Sequence, residues 1–254
     1  MWSRQLCAKH LVIAAALLTL AGSSVFAQRG RGGAPAGPPI GPREISGYWE
    51  MPLDGRNVPA SSLVPGVTKK MLDDAAAHDA KGRRWCNVIG VPAMMELPRP
   101  YDIRVNDNFM IIVPEYGSAQ NRWIYLNRAK HINEDEYEPS TNGDSIGHWE
   151  GNVLVVDTVG FDPDHGLIGI PGGGYRTPTS HLVEYFRLLR NGQQLAVTSV
   201  WTDPKMFRTP HIYEYRYNRL ARDYEPRPSM TCDPYDEERA SFLTKPPTIP
   251  VAAK

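Results

Sequence analysis

Short runs that alternate apolar and polar residues dominate the chain between residues 45 and 217. Their length, their alternation and their content of β-branched and aromatic residues predict nine strands. The predicted strands are Ile45–Met51, Tyr101–Val105, Phe109–Val113, Arg122–Leu126, Ser145–Trp149, Val153–Val159, Ser180–Leu188, Gln194–Thr202 and His211–Tyr217. One run differs: Val67–Lys81 is rich in Ala, Lys and Met, has Thr68 as a cap and Gly82 as a stop, and predicts a helix.

Turn-forming residues separate several neighbouring strands, at Asn106–Asn108, at Glu150–Asn152 and at Asn191-Gly192. Asn-Gly between two apolar runs is a strong hairpin signal. Short links favour antiparallel pairing, because parallel strands need long crossover connections. The sequence therefore predicts an all-β fold, an antiparallel meander that closes into a barrel and carries one short helix.

The hairpin around Glu150–Asn152 bears on a G-x-S-x-G pattern at residues 143–147. In serine hydrolases this pattern stands at a sharp turn from a strand into a helix. Here a strand, a turn and a second strand follow one another, and alternation puts Ser145 and His148 on opposite faces. A regular hairpin thus excludes a local Ser–His pair, and a hydrolase that uses Ser145 with a distant histidine is kept as the third hypothesis.

His148 shares the other face of this hairpin with Asp157. In one register the two side chains are diagonal neighbours, close enough to interact. A carboxylate that orients an imidazole is a general acid/base device, and it is also an ordinary surface pair. His148 and Asp157 are therefore candidate catalytic residues.

The next hairpin places Glu184 opposite Ser199 when Asn191-Gly192 forms a two-residue turn. The rest of that face is apolar, which predicts that it looks inward; its other members are Leu182, Phe186, Leu188, Leu195, Val197 and Trp201. A buried carboxylate is costly unless it is paired, so Glu184 is either half of a salt bridge or a candidate general acid or base. The arginines considered as partners are Arg104, Arg122 and Arg216.

Aromatic residues provide the ligand-binding candidates. Tyr213, Tyr215 and Tyr217 alternate on the last strand, so they share one face. Such a stripe lines a cavity for an aromatic ligand or packs against its neighbours. The candidate ligand-binding residues are Trp149, Trp201, Tyr213, Tyr215 and Ser199.

The two ends of the chain have compositions that differ from the middle. Residues 1–27 have basic residues, an apolar run and then small residues, which predicts a cleaved signal peptide, a periplasmic or secreted location and no stable membrane insertion after cleavage. Residues 28–43 are rich in Gly, Pro and Arg and predict a flexible linker. Residues 44–243 predict a single β-barrel domain, and residues 244–254 an extended tail.

Charge and cysteine content narrow the classes of partner. The chain has 28 basic and 28 acidic residues, without a basic cluster interleaved with aromatics, so we expect no nucleic-acid partner. Cys86 and Cys232 remain after removal of the signal peptide and predict a disulfide in an oxidising compartment. The histidines lack metal-ligand spacing, so the sequence predicts neither a metal nor a cofactor.

The stretch Ser145–Phe161 reads SIGHWEGNVLVVDTVGF. It resembles a family of exported bacterial proteins whose motif is close to S-x-G-x-W-E-G-D-T-L-V-V-D-T-x-G-F. The resemblance covers most of residues 45–235 and implies export and a shared fold without a particular activity. The triplet Gly47-Tyr48-Trp49 also resembles the G-x-W start of lipocalin-type barrels, which implies a barrel that holds a small ligand.

Three hypotheses about function follow from these patterns. The first is an exported barrel that binds a hydrophobic or aromatic small molecule. If this barrel is an enzyme, we expect cofactor-free isomerase, lyase or cyclase chemistry at Glu184 or Asp157. The second is a binding or scaffolding module without chemistry. The third is the Ser145 hydrolase.

Overall fold

The computed structural model describes residues 41, 43–84, 89–97, 99–115, 121–136 and 138–226. Within these ranges the chain forms ten strands and one α-helix. The strands are β1 (Gly47–Glu50), β2 (Arg56–Asn57), β3 (Tyr101–Val105), β4 (Phe109–Pro114), β5 (Arg122–Tyr125), β6 (Asp144–Glu150), β7 (Val153–Val159), β8 (His181–Leu189), β9 (Gln194–Thr202) and β10 (His211–Arg219). The helix is α1 (Lys69–Arg84), and two short 3-10 helices cover Ala93–Glu96 and Glu134–Glu136.

Several predictions fall on residues that the structure does not describe. These are the signal peptide, nearly all of the linker, the pairing of Cys86 with Cys232, and the C-terminal tail. They stay predictions.

Nine of the ten strands form a closed barrel. The strand order is β1-β3-β4-β5-β6-β7-β8-β9-β10, and β10 returns to β1 by pairing Trp49 with Arg219 and Glu50 with Asn218. The two-residue β2, which the sequence pattern did not predict, pairs with β10 beside this seam. The predicted all-β barrel class is confirmed, and the nine predicted strands are all present.

The seam between β1 and β10 depends on one stacked pair. Trp49 is fully buried, and its indole nitrogen donates a hydrogen bond of 2.9 Å to the Ile45 carbonyl. The guanidinium of Arg219 lies 4.1 Å from the centre of the Trp49 ring and donates to the Ser46 carbonyl at 2.8 Å. A Cβ at Gly47 would come within 2.5 Å of Arg219 Nη1, so only glycine leaves room for this guanidinium.

The β8–β9 hairpin has the predicted register, and the β6–β7 hairpin has the predicted assignment of side chains to faces. Trp149 lies opposite Leu154 in the pair β6–β7, and Glu184 lies opposite Ser199 in the pair β8–β9. The faces predicted to look inward on β8 and β9 are buried apart from Leu188, which is partly buried. Turns of a few residues set these registers, and turn chemistry is legible in the sequence.

The strands β5 and β6 run parallel, which corrects the predicted antiparallel meander. Ile124 pairs with Ser145, and Tyr125 pairs with Ile146. The link between these strands, residues 126–143, is long enough to carry the chain back to the end of the barrel where β5 begins. We call residues 126–143 the crossover segment.

Helix α1 has the predicted N-terminal cap but not the predicted end. Thr68 caps the helix, because its Oγ1 accepts a hydrogen bond of 3.3 Å from the amide of Met71. The helix continues through Gly82, so the predicted stop there is wrong; one glycine costs only about 1 kcal/mol relative to alanine. Asp79 binds the amides of Ile168 and Gly169, which fastens α1 to the link between β7 and β8.

Membrane-spanning helices were sought in the part of the chain that the structure describes. None of its helices combines the length and the apolar character that crossing a bilayer requires.

An ion pair crosses the barrel interior from β5 to β8. Arg122 donates to both oxygens of Glu184, at 3.1 Å from Nη1 to Oε1 and by a second bond from Nη2 to Oε2. Arg122 Nη2 also donates to Thr158 Oγ1 at 3.1 Å, and Ser145 Oγ lies 2.9 Å from that hydroxyl. The ion-paired side chains are 0% and 2% exposed, so the predicted salt bridge of Glu184 is confirmed, with Arg122 as the partner.

We predict that Arg122→Leu lowers the free energy of unfolding by about 3–5 kcal/mol, because it leaves the Glu184 carboxylate buried without a partner. The double variant Arg122→Leu/Glu184→Leu removes both charges, and we expect it to recover at least half of that loss. Urea unfolding measures all the variants. A double variant that is less stable than Arg122→Leu would contradict the prediction.

The control for this series is Arg104→Leu. Arg104 pairs with Asp102, and their side chains are 50% and 27% exposed. Exposed pairs contribute little, so we expect Arg104→Leu to cost less than about 1 kcal/mol.

Candidate functional site

Four of the predicted ligand-binding residues lie inside the barrel in contact with one another. The Trp201 indole donates a hydrogen bond of 2.7 Å to the Tyr213 hydroxyl, and the rings of Tyr213 and Tyr215 are 5.1 Å apart. Ser199 lies opposite Tyr213 in the pair β9–β10. At most 3% of each residue is exposed, and burial raises the pKa of both tyrosines. Their contact with a ligand stays a prediction.

Ser145 also points into the interior, with 1% of the residue exposed. Its hydroxyl bonds to Thr158 and Arg122, and no described histidine bonds to it. The G-x-S-x-G pattern runs into β6 instead of a turn between a strand and a helix. The context that a hydrolase nucleophile requires is therefore missing here.

Glu184 occupies the predicted place on the interior wall, where Arg122 holds both of its oxygens. A general acid or base must come within hydrogen-bond reach of its substrate. With 1% of the residue exposed, we place no proton transfer at Glu184.

His148 does not pair with Asp157, which corrects the predicted diagonal contact. The two residues share the outer face as expected, but His148 Nε2 lies 3.0 Å from Glu150 Oε1 and its side chain is 65% exposed. The neighbouring Trp149 is partly buried, and the Arg43 guanidinium lies 5.2 Å from the centre of its ring. Arg43, His148 and Trp149 border a separate open pocket of about 510 Å³.

Asp157 instead binds two other histidines on the outer face of the barrel. Its Oδ1 accepts hydrogen bonds from His181 Nε2 at 2.9 Å and from His131 Nε2 at 3.0 Å. The second ring nitrogen of His131, Nδ1, lies 2.8 Å from Asp144 Oδ2. The four side chains form a chain of contacts from β6 through the crossover segment to β7 and β8, which we call the Asp–His network.

Asp144, the first residue of β6, has further partners in this network. Arg128 Nη2 lies 2.5 Å from its Oδ1, and the amide of Ile132 donates to its Oδ2 at 3.3 Å. Burial would raise the pKa of Asp144, but the hydrogen bonds from Arg128 and His131 outweigh it and lower the pKa. The network therefore holds the crossover segment against the barrel wall through an ionised carboxylate.

Hydrogen-bond geometry defines the proton positions in the network. Burial opposes ionisation of Asp157, yet the hydrogen bonds from His181 and His131 lower its pKa. An ionised carboxylate only accepts hydrogen bonds, so the hydrogen between Asp157 and His181 lies on His181 Nε2. The hydrogen bond to Asp157 and the charge of that carboxylate raise the pKa of His181 against the effect of partial burial.

A pocket of about 550 Å³ opens between the crossover segment and the ends of β7 and β8. We call it the crossover pocket. Its apolar lining comes from Ile132, Pro139, Val159, Phe161 and Pro178. Its polar lining side chains are Asp144, Thr179, Ser180 and His181.

A buried carboxylate fixes one wall of the crossover pocket. Asp203, 2% exposed, accepts hydrogen bonds from the hydroxyls of Thr177, Thr179 and Ser180 at 2.6–3.0 Å. The wall is therefore formed before a ligand arrives, which reduces the entropy lost on binding.

A buried arginine joins this wall to the crossover segment. Arg176 donates to the carbonyls of Thr141 at 2.7 Å and Val91 at 2.9 Å, and burial lowers the pKa of its guanidinium to about 10. Thr141 belongs to the crossover segment, so the two sides of the pocket are bonded to each other.

His181 is the residue of this site that sequence reasoning missed, together with His131 and Asp144. Its Nε2 binds Asp157, and its Nδ1 has no hydrogen-bond partner in the part of the chain that the structure describes. A histidine with one nitrogen fixed by a carboxylate and the other beside a pocket can accept or donate a proton. The described residues contain no group of three or more His, Cys, Asp or Glu suited to holding a metal ion.

We predict that His181→Gln destabilises the protein more at about pH 5.5 than at about pH 9. Because the pKa of His181 is raised in the folded protein, its pair with Asp157 contributes fully to stability at pH values below the pKa of histidine in the unfolded chain. This contribution is lost as the pH rises through the pKa of His181 in the folded protein. The lowered pKa of Asp157 gives stability that is lost only at acidic pH, as the pH falls through its folded value. The contributions of His181 and Asp157 to stability are both present between about pH 4 and pH 6.5.

The pair is partly exposed, at 39% and 38%, so we expect a loss of about 0.5–1 kcal/mol at the lower pH. Urea unfolding at both pH values measures it. The variant His148→Gln is the control, because its pair with Glu150 is largely exposed and its loss should stay small at both values. Equal losses for His181→Gln at the two pH values would refute the linkage.

Comparisons with known proteins assign neither a family nor a function, so the proposed function is argued from the geometry of the site. No protein-family model matches the chain, and a comparison with curated proteins finds no match.

Proposed function

We propose that the chain is an exported barrel protein that binds an apolar or aromatic small molecule in the crossover pocket. The observation that carries the proposal is the position of His181, which lines a pocket of apolar and polar residues while Asp157 binds its Nε2. Binding sites combine an apolar lining with a few convergent polar groups and titratable residues of shifted pKa. The crossover pocket combines all three.

Three properties support this pocket over the barrel interior as the place of binding. The pocket opens to solvent beside His181, which is 39% exposed, whereas Trp201 and Tyr213 bond to each other inside the barrel. Asp203 and Arg176 hold its wall in place. Ile132, which is 42% exposed, adds an accessible apolar side chain to the lining.

His181 is also the group through which this site would carry out chemistry. Asp157 fixes the tautomer with hydrogen on Nε2, so Nδ1 of the neutral ring is a base and Nδ1–H of the imidazolium is an acid. The cofactor-free isomerase, lyase or cyclase chemistry hypothesised for Glu184 and Asp157 belongs on this proposal to His181, with Asp157 as its positioning residue. The export signal and the family resemblance are part of the same proposal.

We expect the mature protein, purified from its native periplasm, to retain an apolar compound that native mass spectrometry detects. Val159→Trp fills the crossover pocket, because Val159 lies in its lining at the end of β7, and should abolish retention. Val153→Trp is the matched control, since Val153 lies on the same outer face at the other end of β7, outside the pocket. A wild-type protein that is empty, or a ligand that survives Val159→Trp, would contradict the proposal.

A further inference from the structure

His181 is bonded to the Asp–His network through one ring nitrogen only. Asp157 accepts from His181 Nε2 at 2.9 Å and also bonds to His131. Asp144 bonds to His131 and to Arg128. The Nδ1 of His181 takes no part in these hydrogen bonds, so it is left for a ligand.

The polar side chains that line the crossover pocket are already engaged, apart from His181. Thr179 and Ser180 donate their hydroxyls to Asp203. Asp144 has Arg128 on one oxygen and His131 with the Ile132 amide on the other. Its side chain is 5% exposed, so its charge is shielded from a ligand in the pocket. Among the described side chains that line the pocket, His181 is thus the one with an unengaged polar atom, Nδ1.

We infer that the ligand of the crossover pocket is an aromatic or apolar carboxylate, whose anion accepts a hydrogen bond from His181 Nδ1. This inference rests on the proposed function, because it names the ligand class of the same site. The ligand carboxylate accepts from Nδ1–H of the imidazolium, and the apolar body of the ligand lies among Val159, Pro139 and Pro178. A charge-assisted hydrogen bond of this kind is roughly twice as strong as a neutral one.

The inference implies a definite pH dependence of binding. The neighbouring Asp157 already raises the pKa of His181, and the other polar side chains of the cluster, His131, Asp144 and Arg128, bond to one another. An anionic ligand stabilises the imidazolium further. Affinity for the carboxylate is therefore highest below the pKa of His181 and falls as the pH rises through it.

The test compares three ligands that share one aromatic body, 2-naphthoate, 2-naphthamide and 2-naphthylmethylamine, by isothermal titration calorimetry. At about pH 6 we expect 2-naphthoate to bind at least about tenfold more tightly than the neutral amide. The advantage should shrink at about pH 8.5. It should also disappear in His181→Gln, which we expect to bind the carboxylate no more tightly than the amide.

His165→Gln is the matched control, because His165 bonds to Asp162 on an exposed loop and its side chain is 78% exposed. It should behave like the wild type with all three ligands. Equal binding of the amide and the carboxylate, or tightest binding of the amine, would overturn the inference and leave the proposed pocket intact. Failure of all three ligands to bind would count against the pocket itself, and so against both.

Discussion

The buried pair of Arg122 and Glu184 is the constraint on which the wall of this barrel depends. It joins β5 to β8 across the interior, and its hydrogen bonds to Ser145 and Thr158 include the two strands between them. Those four strands contain the parallel junction, which short turns do not hold in register. The two side chains are 0% and 2% exposed, so either charge would destabilise the fold if it were buried without the other. The stable alignment of the strands is therefore the one that pairs Arg122 with Glu184.

The same junction creates the candidate site. A parallel pair requires a return path, and the crossover segment provides it on the outside of the barrel. The segment brings His131 against Asp144 and Asp157, and its far side becomes one wall of a pocket. Inside the wall an ion pair is sealed from solvent, while outside it a second set of charges remains partly exposed and able to titrate. The buried pair of Arg122 and Glu184 thus stabilises the barrel, while the Asp–His network on its outer face is accessible to a ligand.

The sequence predicted strand pairing where the connection between two strands is short, and not where it is long. The turn at Asn191-Gly192 predicted the register of one hairpin, and with it the interior position of Glu184. The turn at Glu150–Asn152 predicted the faces of the other, and with them the separation of Ser145 from His148. The site depends on two long links, residues 126–143 and 160–180, whose paths no local pattern encodes. His181 becomes a diagonal neighbour of Asp157 only once Asp157 is known to pair with Val183. Sequence reasoning therefore found Asp157 and assigned it the wrong histidine.

The most direct test of the account is to locate a bound aromatic carboxylate by NMR, following the histidine ring and tryptophan indole resonances during addition of 2-naphthoate. The account predicts that the His181 ring resonances shift and show contacts to the naphthyl protons, while the buried Trp201 indole, bonded to Tyr213, keeps its resonance. A shifted Trp201 indole with an unchanged His181 ring would place the ligand inside the barrel and contradict a functional site on its outer wall.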